Sequence, residues 1–177
     1  VMNKQLRWET SLIEVLPELK GVIAAEFHSI TLWELLTHRS GVPANARDWW
    51  AYGEMPLMQR RLAQVKENLS FPAVQERGTY HYSNLGYMIA GCIAERVTGK
   101  AWEALMTDLL FGPLGMKSAG FGPPGTRETI REPWGHARIE GRWSAGQFDN
   151  APALGPAGRV HCSISDWARC LRGYLPE

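Results

Sequence analysis

The stretch Tyr80-His81-Tyr82-Ser83-Asn84-Leu85-Gly86-Tyr87 decides the fold, because it runs directly into an amphipathic helix. Apolar residues then recur at helical spacing, at Leu85, Met88, Ile89, Cys92, Ile93 and Val97. Ser83 or Asn84 can cap the first turn, and Gly99 supplies the left-handed residue that commonly follows a helix. The pattern predicts a helix over residues 84–98, with the phenol of Tyr82 and the carboxamide of Asn84 at its start.

Composition narrows the possible functions. The 177 residues include 19 basic and 18 acidic side chains, and the formal charge of +1 comes without a Lys/Arg cluster, so we expect no nucleic-acid partner. The apolar stretches are far shorter than the roughly 18 residues of a membrane span, and no signal peptide is recognisable, so we expect no membrane partner. Three cysteines show no metal-binding or disulfide spacing, and no cofactor or metal is implied.

Further helices and a few short strands are predicted on either side of this segment. Thr31 and Glu34 form a capping-box pattern before a short helix that ends near Arg39. Other helical patterns lie within residues 8–19, 54–68 and 101–110, and from Ser163 or Ser165 to Tyr174. The last helix is expected to bury Ile164, Trp167, Ala168 and Leu171. Residues 115–158 are predicted to be mainly loop, with strands near 136–139 and 142–144, so the fold class is mainly α with short β segments.

Two stretches resemble one enzyme family. Tyr82 and Asn84 form a Y-x-N pattern within YHYSNLGYMIAGCIAERVTG, and ITLWELLTHRSGVP lies upstream. Both resemble serine β-lactamases of class C, the related family VIII esterases, and penicillin-binding D-alanyl-D-alanine peptidases; GPAGRVHCSISDWAR is a weaker third match. The resemblance implies the helical domain of the β-lactamase/transpeptidase-like fold. It further implies that residues 1–177 are a single domain that is incomplete relative to the family, because both halves of the α/β sandwich are missing.

The resemblance also implies a chemistry. In that family a Ser-x-x-Lys helix supplies the nucleophile, the Y-x-N tyrosine takes part in proton transfer, and a Lys-Thr-Gly or His-x-Gly strand lines the substrate. A tyrosine suits this role only when a nearby cation lowers its pKa from about 10. None of the serines here precedes a lysine by three positions, and no Lys-Thr-Gly or His-x-Gly occurs. Tyr82 and Asn84 are therefore predicted to be a vestigial catalytic pair.

Several other residues have competing interpretations. Ser83 lies beside Tyr82, but without a lysine partner it is interpreted as a helix cap rather than a nucleophile. His38, His81 and His161 match no metal or catalytic spacing and are interpreted as surface or core residues. The run Trp49-Trp50-Ala51-Tyr52 either lines a substrate entrance or covers the core.

Three hypotheses for function follow. The first is a hydrolase-like domain that is inactive alone and associates through its exposed Tyr82 face, as a homo-oligomer or with a complementing fragment. The second is a non-catalytic module that binds a small ligand or peptide. The third is an esterase or β-lactamase that becomes active when missing segments are supplied. Met2 could be a natural start or the chain could be an excised piece, which the reading frame beyond Val1 and Glu177 would decide.

Overall fold

The computed structural model describes residues 6–126 and 131–174; the suggested start at Met2 lies outside them. The chain forms two compact units, the first ending at Trp102 and the second beginning at Glu103. Within the described residues, no helix is long and apolar enough to cross a membrane.

The first unit is built from helices. They are α1 (Leu12–Val15), α2 (Leu32–Leu36), α3 (Leu57–Leu69) and α4 (Asn84–Thr98), with short 3-10 turns at Pro17–Leu19 and Ala25–Phe27. Helix α4 contacts α1, α2 and α3, so it is the central element. Its predicted apolar stripe is confirmed at Leu85, Met88, Ile89, Cys92 and Ile93, which are buried, whereas Val97 is half-buried. They pack in a core with the buried side chains of Leu12, Leu16, Leu19, Phe27, Ile30, Leu35, Val65 and Leu69.

The ends of α4 follow the predicted signals. Ser83, not Asn84, is the N-cap: its hydroxyl accepts a hydrogen bond from the Gly86 N–H at 2.8 Å. Gly99 has φ 68°, and its N–H donates to the Glu95 carbonyl. The capping box of α2 is also confirmed, because the Thr31 hydroxyl accepts from the Glu34 N–H while the Glu34 carboxylate accepts from the Thr31 N–H.

A buried ion pair joins α3 to α4. The Arg61 guanidinium donates to the Glu95 carboxylate, and both side chains are almost completely buried. Glu95 also accepts the Trp102 N–H at 3.0 Å. Two charges in such a setting stabilise the fold only while both are present, because an uncompensated buried charge is costly.

The second unit contains short helices and two small antiparallel sheets. Helix α5 (Trp102–Met106) starts at the boundary and continues as a π-helical turn, Thr107–Phe111. Strand β1 (Gly120–Phe121) pairs with β4 (Val160–His161), and β2 (Gly135–Ile139) pairs with β3 (Arg142–Gly146). A 3-10 turn (Pro152–Leu154), α6 (Gly155–Gly158) and α7 (Ile164–Arg172) complete the unit.

The β2–β3 hairpin matches the two predicted strands. Ile139 faces Arg142 across a turn whose central residues, Glu140 and Gly141, have φ 49° and 81°. Two left-handed residues are typical of the tight turn that suits strand twist. Strands β1 and β4 were not predicted from the sequence, because strands of two residues are too short to show an alternating pattern of apolar and polar residues.

The predicted inward face of α7 is wrong. Ile164 is 80% exposed, and Trp167, Ala168 and Leu171 are also exposed. The helix instead buries Cys170 against Phe111 and Met116. It also buries Asp166, whose carboxylate accepts hydrogen bonds from the N–H and hydroxyl of Ser118. Polar anchoring of the first turn therefore selects a face that apolar periodicity did not predict.

Candidate functional site

Tyr82 and Asn84 lie together at the N-terminus of α4. The Tyr82 hydroxyl donates to Asn84 Oδ1 at 3.2 Å, and the Asn84 side-chain NH2 donates to Asn45 Oδ1 at 2.8 Å. The Asn84 backbone N–H donates to the Ala44 carbonyl. These bonds fix both the backbone and the amide orientation of Asn84, which presents its oxygen to a phenol that is 55% exposed.

Ser83 points the other way. It is 1% exposed, and its hydroxyl donates to the Pro43 carbonyl at 2.7 Å while accepting the Gly86 N–H. The hydroxyl therefore acts as both donor and acceptor in hydrogen bonds that hold the start of α4. Ser83 is therefore a cap, as the sequence predicted, and it is not placed to act as a nucleophile.

The loop after α2 runs alongside the segment that leads to Tyr82. The Gly78 N–H donates to the Arg39 carbonyl at 2.8 Å, and Arg39 Nη1 donates to the Gly78 carbonyl at 3.0 Å. The His81 N–H donates to the His38 carbonyl at 2.7 Å. Within this loop Gly41 has φ 75°, and a Cβ there would lie 3.0 Å from the Gln75 carbonyl oxygen, so glycine allows the close approach.

An ion pair fixes the start of the same segment. Arg77 Nε and Nη2 donate to the two Glu34 carboxylate oxygens at 2.7 and 2.8 Å, and the guanidinium also donates to the hydroxyl and carbonyl of Ser29. Burial would raise the pKa of Glu34, but the bonds from Arg77 and from the Thr31 N–H and hydroxyl outweigh it and lower that pKa. The carboxylate form of Glu34 thus stabilises the loop next to the site.

Comparisons with known proteins place the chain in a family. The β-lactamase family matches the chain over residues 1–177. The chain belongs to the β-lactamase family. Penicillin-binding protein 4 of Amycolatopsis lactamdurans is 28% identical over 178 residues, covering 98% of this chain and 45% of that protein. An unguisins hydrolase of Aspergillus campestris is 26% identical, covering 97% of this chain and 33% of that protein.

Solved structures show the same fold. FmtA from Staphylococcus aureus superposes with a TM-score of 0.76 at 17% identity, over 97% of this chain and 45% of that one. The chain spans less than half the length of each of these relatives. Membership of the β-lactamase family confirms the resemblance of the two sequence stretches, which the structure brings into contact at Tyr82.

The three histidines with no predicted role have different positions. His38 packs its ring against Tyr82, with 4.6 Å between ring centroids, and its Nδ1 accepts the Ser83 N–H at 3.0 Å. His81 contributes its backbone N–H to the same region. His161, in the second unit, has its Nδ1 2.7 Å from the Gly122 carbonyl oxygen. The sequence interpretation of His38 as a surface or core residue did not predict its contacts with Tyr82 and with Ser83, which lies 45 positions away.

The loop that contains Trp49-Trp50-Ala51-Tyr52 is held by polar side chains of α3. Arg60 and Gln64 donate to backbone carbonyls of Asp48, Trp49 and Ala51, and Asn68 accepts the Arg47 N–H. The loop leaves Trp50 64% exposed. It follows Asn45, the partner of Asn84, by a few residues. Trp50 is therefore presented to solvent rather than covering the core.

A cavity of about 370 Å³ lies elsewhere in the first unit and includes neither Tyr82 nor Asn84. It is lined by Leu6, Arg7, Thr10, Glu14, Val15, Arg96 and Val97. Over residues 6–126 and 131–174, no group of three or more His, Cys, Asp or Glu side chains is arranged to hold a metal ion. The polar side chains that the structure brings together at the candidate site are the Tyr82 phenol and the carboxamides of Asn84 and Asn45.

Proposed function

We propose that this chain is the helical part of a serine hydrolase of the β-lactamase family, and that Tyr82 and Asn84 form one side of its active site. The observation that carries the proposal is the exposed Tyr82 hydroxyl, bonded to an Asn84 amide that is itself fixed by Asn45. In a complete site, Tyr82 takes part in proton transfer at the serine nucleophile, and Asn84 orients polar groups of the substrate.

Residues 1–177 are proposed to form a single domain that is incomplete relative to the family and inactive alone. No serine in the sequence has the Ser-x-x-Lys spacing, and no Lys-Thr-Gly or His-x-Gly is present. The longer length of the relatives supports this view. The α/β halves would supply the nucleophile and the strand that lines the substrate.

Association through the Tyr82 face is part of the proposal. Tyr80 and Tyr82 are both more than half exposed. Apolar surface of this kind is commonly covered by a partner. A complementing fragment or a second copy of the chain would cover it, and light scattering of the purified chain with and without the fragment distinguishes the two.

The test measures hydrolysis of a chromogenic cephalosporin and a p-nitrophenyl ester, together with the intact mass of the protein. Wild type is compared with Tyr82→Phe, and Tyr174→Phe serves as a control because Tyr174 is an exposed phenol in the second unit. The chain alone should give neither turnover nor an acyl adduct. Turnover with an adduct, lost in Tyr82→Phe, would overturn the incomplete-domain proposal.

A second experiment adds the α/β portions that the proposal says are missing. A chimera joins residues 1–177 to the portions of penicillin-binding protein 4 that the chain does not match, and turnover should appear. Tyr82→Phe should then lower kcat about 10²- to 10⁴-fold, the range for loss of a proton-transfer group. Saturable binding of substrate without turnover in the chimera would instead favour a non-catalytic binding module.

A further inference from the structure

His38 accepts two hydrogen bonds from the backbone on either side of Tyr82, in the segment from Gly78 to Gly86 (the Tyr82 segment). The His81 N–H donates to the His38 carbonyl at 2.7 Å, and the Ser83 N–H donates to His38 Nδ1 at 3.0 Å. Tyr82 lies between these two donors in sequence. His38 therefore holds the backbone on both sides of the phenol.

The backbone of His38 is unusual in a way that makes this possible. Its φ is 60°, in the left-handed region that non-glycine residues seldom occupy. This conformation turns both its carbonyl and its ring toward the Tyr82 segment. A strained conformation persists only where surrounding bonds determine it, and here the bonds are those to His81 and Ser83.

The ring of His38 is enclosed by tyrosines. Tyr82 and Tyr87 lie 4.6 and 5.1 Å from it by ring centroids, and Tyr80 meets it edge-on at 5.7 Å. The Tyr87 hydroxyl donates to the Leu36 carbonyl, which ties this cage to the end of α2. The ring contacts of His38 and its hydrogen bond to Ser83 therefore both hold the segment that contains Tyr82.

The bond to Ser83 specifies the protonation of the ring. A backbone N–H only donates, so Nδ1 has to present a lone pair, and the proton of the neutral imidazole is on Nε2. An imidazolium carries N–H groups on both nitrogens and cannot accept this bond. The titratable groups that face the ring are the phenols of Tyr80, Tyr82 and Tyr87. Arg39 follows His38 in the chain, and His81 lies alongside through its backbone bond to the His38 carbonyl.

We propose that His38 is a positioning residue for Tyr82 and Asn84, and that it acts as a neutral imidazole whose Nδ1 accepts the Ser83 N–H and fixes the backbone between the two motif side chains. The kinetic consequence rests on the proposed function, whereas the tautomer and the hydrogen bond do not. The role differs from general-base catalysis, because the nitrogen concerned is occupied by the protein backbone.

The first test is NMR of the labelled 177-residue chain. Long-range correlations between ring nitrogens and ring protons should show the proton on Nε2 of His38. The Ser83 amide signal should move with the same midpoint as the His38 ring when the solution is acidified. A proton on Nδ1 in the neutral ring, or a Ser83 signal that does not follow the His38 titration, would overturn the proposal.

Variants separate the acceptor from the backbone conformation. Glycine and asparagine both tolerate a positive φ, but only His38→Asn keeps an acceptor at the δ position. His38→Gly should shift the Ser83 amide signal strongly, whereas His38→Asn should keep it near its wild-type value. His136→Asn, at an exposed histidine of β2, should leave it unchanged. Equal shifts in the Gly and Asn variants would contradict a role for the acceptor.

The kinetic readout uses the chimera described above. His38→Gly should lower kcat at least about tenfold with a much smaller change in KM, since a small displacement of a catalytic group is costly, and His38→Asn should restore most of the loss. Equal kcat values in the two variants would overturn positioning through the acceptor. If the chimera shows no turnover at all, the proposed function fails while the NMR result still decides the role of His38.

Discussion

The two units of the chain differ in the size of their buried cores and in the length of their secondary-structure elements. In the first, four helices share a continuous core, and the largest fully buried side chains among the described residues all lie there. In the second, a smaller cluster centres on Phe111, Met116 and Cys170, and short strands replace long helices. The candidate site lies in the first unit, where hydrogen bonds fix the backbone at almost every step from Gly78 to Gly86. Precise placement of Tyr82 therefore coincides with the better-packed part of the molecule.

The buried ion pair offers the largest test of this contrast. Glu95→Gln removes the carboxylate charge that faces Arg61 at a fully buried position, and we expect it to lower the free energy of unfolding by about 3 kcal/mol or more. Urea unfolding followed by circular dichroism measures the loss. Glu18→Gln is the matched control, because its ion pair with Arg96 is partly solvent-exposed and should be worth less than about 1 kcal/mol. Equal losses would contradict the importance of burial.

A pair of identical substitutions compares the two cores directly. Met88 of α4 is completely buried, and Met116 is 5% exposed in the smaller cluster. Met88→Ala should cost about 3 kcal/mol and Met116→Ala about 2 kcal/mol, because most neighbours of Met116 are only partly buried and can relax into the cavity. Thermal unfolding gives the sizes, and hydrogen exchange shows which amides lose protection. A larger cost at Met116 would reverse the contrast between the units.

Much of the first unit could be predicted because its signals are local. The apolar stripe of α4, its end at Gly99 and the Thr31 capping box each depend on residues only a few positions apart. The hairpin in the second unit was predicted for the same reason, since its turn and strands are contiguous. Family resemblance added Tyr82 and Asn84 as candidate site residues, whose catalytic role stays a prediction.

The features that sequence reasoning missed all depend on distant partners. His38 contacts Ser83 across 45 positions, and Asn45 contacts Asn84 across 39, so no periodic pattern links them. The face of α7 was predicted wrongly because Asp166 is anchored by Ser118, 48 positions earlier. Polar contacts of this kind leave no hydropathy signal, and only the folded chain shows them.

Backbone geometry beside the site provides a smaller but specific test. Gly41→Ala combines a positive φ with a Cβ 3.0 Å from the Gln75 carbonyl, and we expect a loss of about 2 kcal/mol in the free energy of unfolding. Gly78→Ala also has a positive φ, but it has open space around the added methyl group and should cost about 1 kcal/mol. The comparison is made by chemical unfolding. Equal costs would mean that the close approach to Gln75 adds nothing beyond the left-handed backbone.

The smallest expected effect concerns the ion pair that anchors the loop near Tyr82. The folded protein lowers the pKa of Glu34, so its carboxylate stabilises the fold above the ordinary glutamate range, and that contribution is lost as the pH falls through the lowered pKa. Glu34→Gln should therefore cost about 1 kcal/mol near neutral pH, a value kept small because Arg77 is partly exposed. The difference from wild type should shrink toward zero in acid. Unfolding midpoints of both proteins across the acidic range measure it, and a difference that is constant with pH would show that the charge of Glu34 does not hold this loop.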